Sequence, residues 1–292
     1  MLYDLSLHMG YLYDTAASGA HHILRLLPMT LPDRQRLVAG TISIEPTPDE
    51  TSTFTDFFEH PVTSFQLRSH HEKLDIRMKA RIIVQAEPVT ADLSPVLENL
   101  PAELATYWSL EPASPHHFMG TSQRIDEVPE IAAYARDMVT PGQTVRQLAR
   151  HMCTMINRDF TYDPEATTVD TTPKQAFEIK RGVCQDFTHV MIIALRSLGI
   201  PAGYVSGFLR TIPPEGKERL EGADAMHAWV RVWCGAATGW IELDPTNDIL
   251  AGTDHIVVGY GRDYSDVAPV IGILKTYGSH QTVQAVDVIP VT

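Results

Sequence analysis

The stretch Arg181–Gly207, RGVCQDFTHVMIIALRSLGIPAGYVSG, sets a single cysteine between a glycine turn and a strongly apolar segment. Apolar residues recur at Phe187, Val190, Met191, Ala194, Leu195 and Leu198, the spacing of a helix with a broad buried face. Such a helix has to be covered by the rest of the chain, so it marks the centre of the fold. Gly199 stops it and Pro201 follows, the usual order of helix-ending residues. Cys184 then falls in the first turn, where the positive end of the helix dipole and unpaired backbone N–H groups favour thiolate over thiol. The same N–H groups are placed to hold an oxyanion formed when the sulfur attacks a carbonyl.

A lone cysteine is more often a small buried hydrophobe than a nucleophile. Two downstream residues change that balance: His227, which opens HAWVRVW, and Asp244, in GWIELDPTND. A thiol nucleophile needs a base to take its proton and a third group to hold that base. From position 227 the chain alternates, with His227, Trp229, Arg231 and Trp233 on one face and Ala228, Val230, Val232 and Cys234 on the other. Gly235 and Gly239 bracket a turn, and WIELDPT returns as the antiparallel partner. His227 and Asp244 share a face only if the turn holds an even number of residues or a bulge corrects the register.

The segments GVCQDFTH with LGIPAGYVSGFL, MHAWVRVW and GWIELDPTN together resemble the core of the transglutaminase-like superfamily of cysteine enzymes. The N-terminal part and the tail HIVVGYGRDYSDVAPVIG resemble the bacterial members, which carry a β-rich domain ahead of that core. The resemblance implies an α+β protein with a papain-like core and a Cys184, His227, Asp244 triad. It implies acyl transfer on an amide of a peptide or protein substrate through a thioester, with no metal or organic cofactor. It further implies an aromatic or amide side chain that helps bind the oxyanion, for which Tyr162 and Gln185 are the candidates. Asp186 and His189, two and five residues beyond the cysteine, point to other faces of the helix and are expected to be structural.

Hydrolysis by a peptidase or amidase is the leading expectation. Eukaryotic cross-linking members of the superfamily use calcium and extra domains, and this chain shows neither an EF-hand loop nor spare length. The alternatives are transfer to an amine acceptor and a binding module that keeps the fold without catalysis. An arylamine-type acyltransferase is less suited, since such proteins carry the cysteine much nearer the chain start.

With 292 residues, two domains of ordinary size are expected. Tyr3, Leu5, Leu7, Met9, Tyr11 and Tyr13 alternate, as do Leu74, Ile76, Met78, Ala80, Ile82 and Val84, while HILRLLP and Ile42–Ile44 suggest further short strands. Residues 1–95 therefore read as an antiparallel β-sandwich, with SHHEK as a hairpin turn. His8, His21, His22, His60, His70 and His71 read as surface or turn histidines, because no acidic or thiol pattern accompanies them. Proline-rich residues 96–122 read as a linker, and 123–292 as the catalytic core. Helices are expected from Pro129 and from Thr144, the latter with Gln147 completing a capping box.

Cys153 and Cys234 are expected as buried core thiols, and the polar loop FLRTIPPEGKERLEGAD as a border of the substrate cleft. The last 50 residues read as strands extending the core sheet, with Arg262 and Asp263 as an ion pair. A formal charge of −13 would be repelled by nucleic acid and by an anionic membrane, so neither is expected as a partner. Three widely spaced cysteines make no disulfide framework, and the N-terminus has no apolar signal core; a cytoplasmic protein is expected.

Overall fold

The computed structural model describes residues 1–86, 91–211, 222 and 224–291. The N-terminal part contains β1 (Leu2–Leu24), β2 (Gln35–Glu45), β3 (Glu50–Thr55), β4 (Pro61–Leu67) and β5 (His71–Val84), in the order β2-β5-β1-β4-β3. Tyr3, Leu5, Leu7 and Met9 are buried while their neighbours Asp4, Ser6 and His8 are half-buried, so the alternation seen in the sequence does set one face inward. β1 is one strand of 23 residues: its first half pairs with β5 and its second with β4, with a register shift between Leu12 and Ala17. The irregularity bends the strand without ending it, because a partner continues on each side. The result is one curled antiparallel sheet, and Leu5, Leu24, Phe65 and Ile76 from its two halves share a single buried cluster.

Three of the N-terminal histidines are buried, contrary to the surface or turn reading: His22, His60 and His71. His22 stacks on Phe65 with ring centroids 4.9 Å apart. His60 lies 2.9 Å from Asp56 and 2.9 Å from the Tyr260 carbonyl. His8, half-buried, pairs with Asp75 at 2.6 Å.

The chain continues through α1 (Leu100–Thr106), α2 (Pro129–Arg136), α3 (Val145–Asp159), β6 (Thr161–Tyr162), α4 (Pro173–Ile179), β7 (Arg181–Gly182) and α5 (Cys184–Ser197). The proline-rich segment does not hang free: Leu100 and Leu104 join the core cluster, and the buried Phe118 packs edge-on against Trp240. Thr144 and Gln147 form the expected capping box at the start of α3, and Thr172 with Gln175 repeats it at α4.

The second sheet is built from β8 (Ala202–Leu209), β9 (Ala225–Trp233), β10 (Trp240–Asp244), β11 (Ile249–Leu250) and β12 (His255–Gly261), in the order β11-β10-β9-β8-β12. Val230 and Val232 pack with Val190, Met191 and Ala194 of α5. Phe208, Ile256 and Val258 pack instead with the N-terminal sheet. At about 2 kcal/mol for each fully buried side chain, those three outweigh any exposed ion pair, so the docking of the two parts is chiefly hydrophobic.

After α6 (Tyr264–Val267) come β13 (Val270–Lys275) and β14 (His280–Pro290). These last strands correct the expectation that the tail extends the core sheet. β11 and β12 do so; β13 and β14 return to β1, and β14 runs from Tyr3↔Pro290 to Tyr13↔His280. β14 covers the edge of β1 opposite β5, with Val286 and Val288 buried, and β13 the edge opposite β4, where an uncovered edge would invite unwanted pairing. Arg262 pairs with Asp266 rather than with Asp263, whose carboxylate accepts the Ser265 and Arg124 N–H groups. No helix among the described residues is long and apolar enough to cross a membrane.

Candidate active site

Cys184 is the first residue of α5 and is half-buried. The turn before it is held by Asp186, whose Oδ2 accepts the Val183 N–H at 2.9 Å and the Thr167 hydroxyl at 2.7 Å. Asp186 is thus an N-terminal cap. Burial pushes its carboxyl above the usual range, and the two hydrogen bonds oppose that push. Gly182 is required by the same cap: a Cβ there would lie 2.4 Å from Asp186 Oδ2. Gly182→Ala should therefore lose the cap and cost about 2 kcal/mol, measured as a lower thermal midpoint together with slower alkylation of Cys184.

His227 lies on β9 and Asp244 ends β10. The turn between the strands, residues 234–239, has an even number of residues, and the register Trp240↔Trp233 to Leu243↔Val230 sets Asp244 opposite Trp229, on the same face as His227. The carboxylate and the ring meet: His227 Nε2 is 2.7 Å from Asp244 Oδ2. That leaves Nδ1 as the nitrogen available to Cys184, which lines the same cavity and lies near enough to act on the ring. Burial works against a charged imidazole, yet the hydrogen bonds to Asp244 and Cys184 and their charges prevail and push His227 up to about 10. The ring is thus held toward its charged form, the form it takes up when it receives the thiol proton.

Asp244 is fully buried and well satisfied. Oδ1 accepts the Thr246 and Asn247 N–H groups at 2.9 and 3.2 Å, while Oδ2 accepts the Asn247 amide at 2.7 Å. A further donor to Oδ2 is His255 Nε2 at 3.1 Å. Burial would raise this carboxyl, but the bonds from His227, His255 and Asn247 hold it well below the usual carboxylate range. Sequence reasoning missed His255, which reads there as one more apolar-strand residue in HIVVGYG.

Of the remaining candidates, Tyr162 is exposed, and its phenol is raised by burial and then by the proximity of Cys184, so it keeps its proton. Its backbone pairs with Gly182, two residues before the cysteine. Gln185 lines the same cavity as Cys184. His189 is buried against Tyr204 at 5.1 Å and faces the Tyr264 N–H at 3.3 Å. Cys153 and Cys234 are buried; burial pushes Cys153 up to about 12 and Cys234 higher still. The loop expected to border substrate falls largely on 212–221 and 223, outside the described residues.

The cavity at Cys184 has a volume of about 300 Å³. Cys184, His227, Tyr204 and Tyr264 line it from the core, Met9 and Tyr11 from β1, and Gln284 from β14. A second cavity of about 340 Å³ lies between α2 and α5, but its described lining has neither a thiol nor a histidine, and its Arg196 guanidinium is spent on the carbonyls of Gly120, Ala202 and Arg262. Among the described residues one group of three side chains has ligand atoms close enough to share a cation: His227, Asp244 and His255, within 4.8 Å. Those atoms already bond one another, both Nε2 atoms on Oδ2.

Residues 132–245 match the model of the transglutaminase-like superfamily, and residues 3–83 that of the bacterial transglutaminase-like N-terminal region. The chain is 37% identical over 270 residues to the uncharacterized protein Rv2569c of Mycobacterium tuberculosis, covering 88% of this chain and 83% of that protein. The chain belongs to the transglutaminase-like superfamily. It is also 31% identical over 281 residues to the uncharacterized protein ML0607 of Mycobacterium leprae, covering 92% of each. A solved structure from Cytophaga hutchinsonii described as a "Putative Cysteine Protease" is similar in fold, with a TM-score of 0.79 at 17% identity, covering 99% of this chain and 90% of that one. Membership of the superfamily and the shared fold support cysteine-based catalysis in general.

Proposed function

We propose that this transglutaminase-like chain hydrolyses an amide of a peptide or protein substrate, with Cys184 as nucleophile, His227 as acid and base, and Asp244 holding His227. The observation that carries this reading is the His227 ring held 2.7 Å from Asp244 Oδ2 while it lines one cavity with Cys184. His227 takes the thiol proton and the thiolate attacks the amide carbon. The negative oxygen of the tetrahedral intermediate meets the backbone N–H groups at the start of α5, with the protonated Tyr162 phenol or the Gln185 amide as a further donor. The C–N bond breaks as His227 passes its proton to the leaving amine. Water then attacks the thioester with His227 as base, releasing the acid and restoring the thiol.

Two features of the cavity favour water over an amine as acceptor. Among the described residues its lining holds no carboxylate that would draw in a lysine ammonium as second substrate. Its walls are largely aromatic and aliphatic, with Tyr11, Tyr204, Tyr264, Met9 and Met226, which suits an uncharged segment on the acyl side. The test is product analysis by mass spectrometry on a mixed peptide pool with and without a primary amine. Hydrolysis yields new termini or released ammonia. Both routes release the same ammonia or amine fragment, so the attacked carbonyl decides: a free carboxylate there marks hydrolysis, a conjugate of the added primary amine there would replace it with the cross-linking reading, and no product at all with the binding-module reading.

A further inference from the structure

We infer that His255 is a positioning residue of this site, a second histidine that fixes the Asp244 carboxylate so that the carboxylate can fix His227. The inference rests on the proposed roles of Cys184, His227 and Asp244 and adds a member that neither the motifs nor the family resemblance supplied.

The tautomer of His255 follows from its two neighbours. Its Nδ1 accepts the Gly252 N–H at 3.2 Å, so Nδ1 carries no proton and Nε2 carries one. Nε2 then donates to Asp244 Oδ2 at 3.1 Å. The ring has little freedom to do otherwise: it is 2% exposed and meets Trp229 edge-on at 5.1 Å. Its backbone N–H returns to the Gly252 carbonyl at 3.1 Å. The adjacent Asp254 is gripped by the Tyr3 hydroxyl at 2.9 Å and by Arg210 at 3.2 Å. The turn that carries His255 is thus clamped from the N-terminal sheet, and the ring reaches the carboxylate from β12 while His227 reaches it from β9.

Oδ2 is the oxygen that both histidines share. Without the bond from β12, the carboxylate keeps its backbone donors on Oδ1 and is freer to turn Oδ2 away from His227. The titratable groups around Asp244 are His227 on β9, His255 on β12 and Cys153 on α3. The thiol of Cys153, pushed up to about 12 by burial, stays neutral and does not compete.

A matched pair of variants separates positioning from mere packing. In His255→Asn the side-chain oxygen stands where Nδ1 stood and keeps the Gly252 contact, but the side chain is too short to reach Asp244. In His255→Gln the amide nitrogen stands near Nε2 and keeps the bond to Asp244, while the Gly252 contact is lost. The probe is iodoacetamide, with the alkylation rate of Cys184 followed against pH by mass spectrometry and the thermal midpoint recorded for each variant. His255→Asn should alkylate about tenfold more slowly at neutral pH, the effect of losing one charge-assisted hydrogen bond. Its acid limb should move to higher pH, since Asp244 with one donor fewer takes up a proton more readily. His255→Gln should stay within about threefold of wild type.

If wild-type Cys184 reacts rapidly and depends on His227, yet His255→Asn shows the wild-type rate and profile, the positioning role is wrong while the proposed function stands. If His255→Gln is the slower of the two, the ring serves the turn and not the carboxylate. If wild-type Cys184 reacts no faster than it does in His227→Ala, the reading of the site fails and takes this inference with it.

Discussion

Cys184→Ala is expected to abolish turnover, by about ten-thousand-fold or more, and to leave the thermal midpoint nearly unchanged. The side chain is half-buried at the mouth of a cavity, and alanine is well suited to the first turn of a helix, so the substitution removes the sulfur and little else. The wild-type protein supplies its own controls. Cys153 and Cys234 are fully buried, and burial disfavours their thiolates, so both should resist iodoacetamide until the protein unfolds, while Cys184 is modified at neutral pH. His227→Ala should slow that modification by about tenfold or more, since the ring that receives the thiol proton is lost. Activity retained in Cys184→Ala would mean that another group is the nucleophile, and equal reactivity of all three thiols would remove the basis for an enzyme.

The second large effect is expected beneath the site, at Arg34. Its Nη2 donates to Glu242 Oε2 at 2.7 Å, and its Nη1 to Glu242 Oε1. The same carboxylate accepts Trp229 Nε1 at 2.5 Å and the Tyr260 hydroxyl at 2.8 Å. Glu242 and Trp229 flank Asp244 and His227 two residues away on the same face of the hairpin, so this pair ties the N-terminal part to the strands that carry the site. Arg34→Leu leaves a buried carboxylate without its cation and should cost about 3 to 5 kcal/mol, measured by urea denaturation at pH 7.

The pH dependence has a definite sign. Burial would raise the Glu242 carboxyl, but the charge and hydrogen bonds of Arg34, with those of Trp229 and Tyr260, bring it down to about 2. The folded value lies below the unfolded one of about 4.3. The contribution is therefore complete above that pH and is lost as the pH falls toward 2. In Arg34→Leu the depressing charge is gone, so the stability gap between variant and wild type should narrow between pH 5 and pH 3. A constant gap over that range would show that packing of the arginine stem, and not its charge, accounts for the loss.

These two sites differ in how they can be read from the chain. The helix that begins at Cys184, the capping boxes at Thr144 and Thr172, and the shared face of His227 and Asp244 all follow from local rules: apolar spacing, cap chemistry and the parity of a turn. Each depends on residues a few positions apart, and each is found in the structure. The pairing of Arg34 with Glu242, 208 positions apart, follows no local rule. Nor does the single bent β1, which runs on through its irregular middle because partners on both sides carry it across.

By itself, then, the sequence determined the α+β class, the central helix with a cysteine in its first turn, and the hairpin that brings a histidine to a carboxylate. Tertiary structure alone decided that β13 and β14 leave the core sheet to flank β1, that Met9 and Tyr11 wall the cavity of a cysteine some 170 positions away, and that His255 completes the shell of Asp244. The physical reason is the range of the forces involved. Helix periods, caps and tight turns are settled by neighbours along the chain, whereas strand partners and buried polar contacts are settled by which surfaces are left uncovered once the local elements have formed.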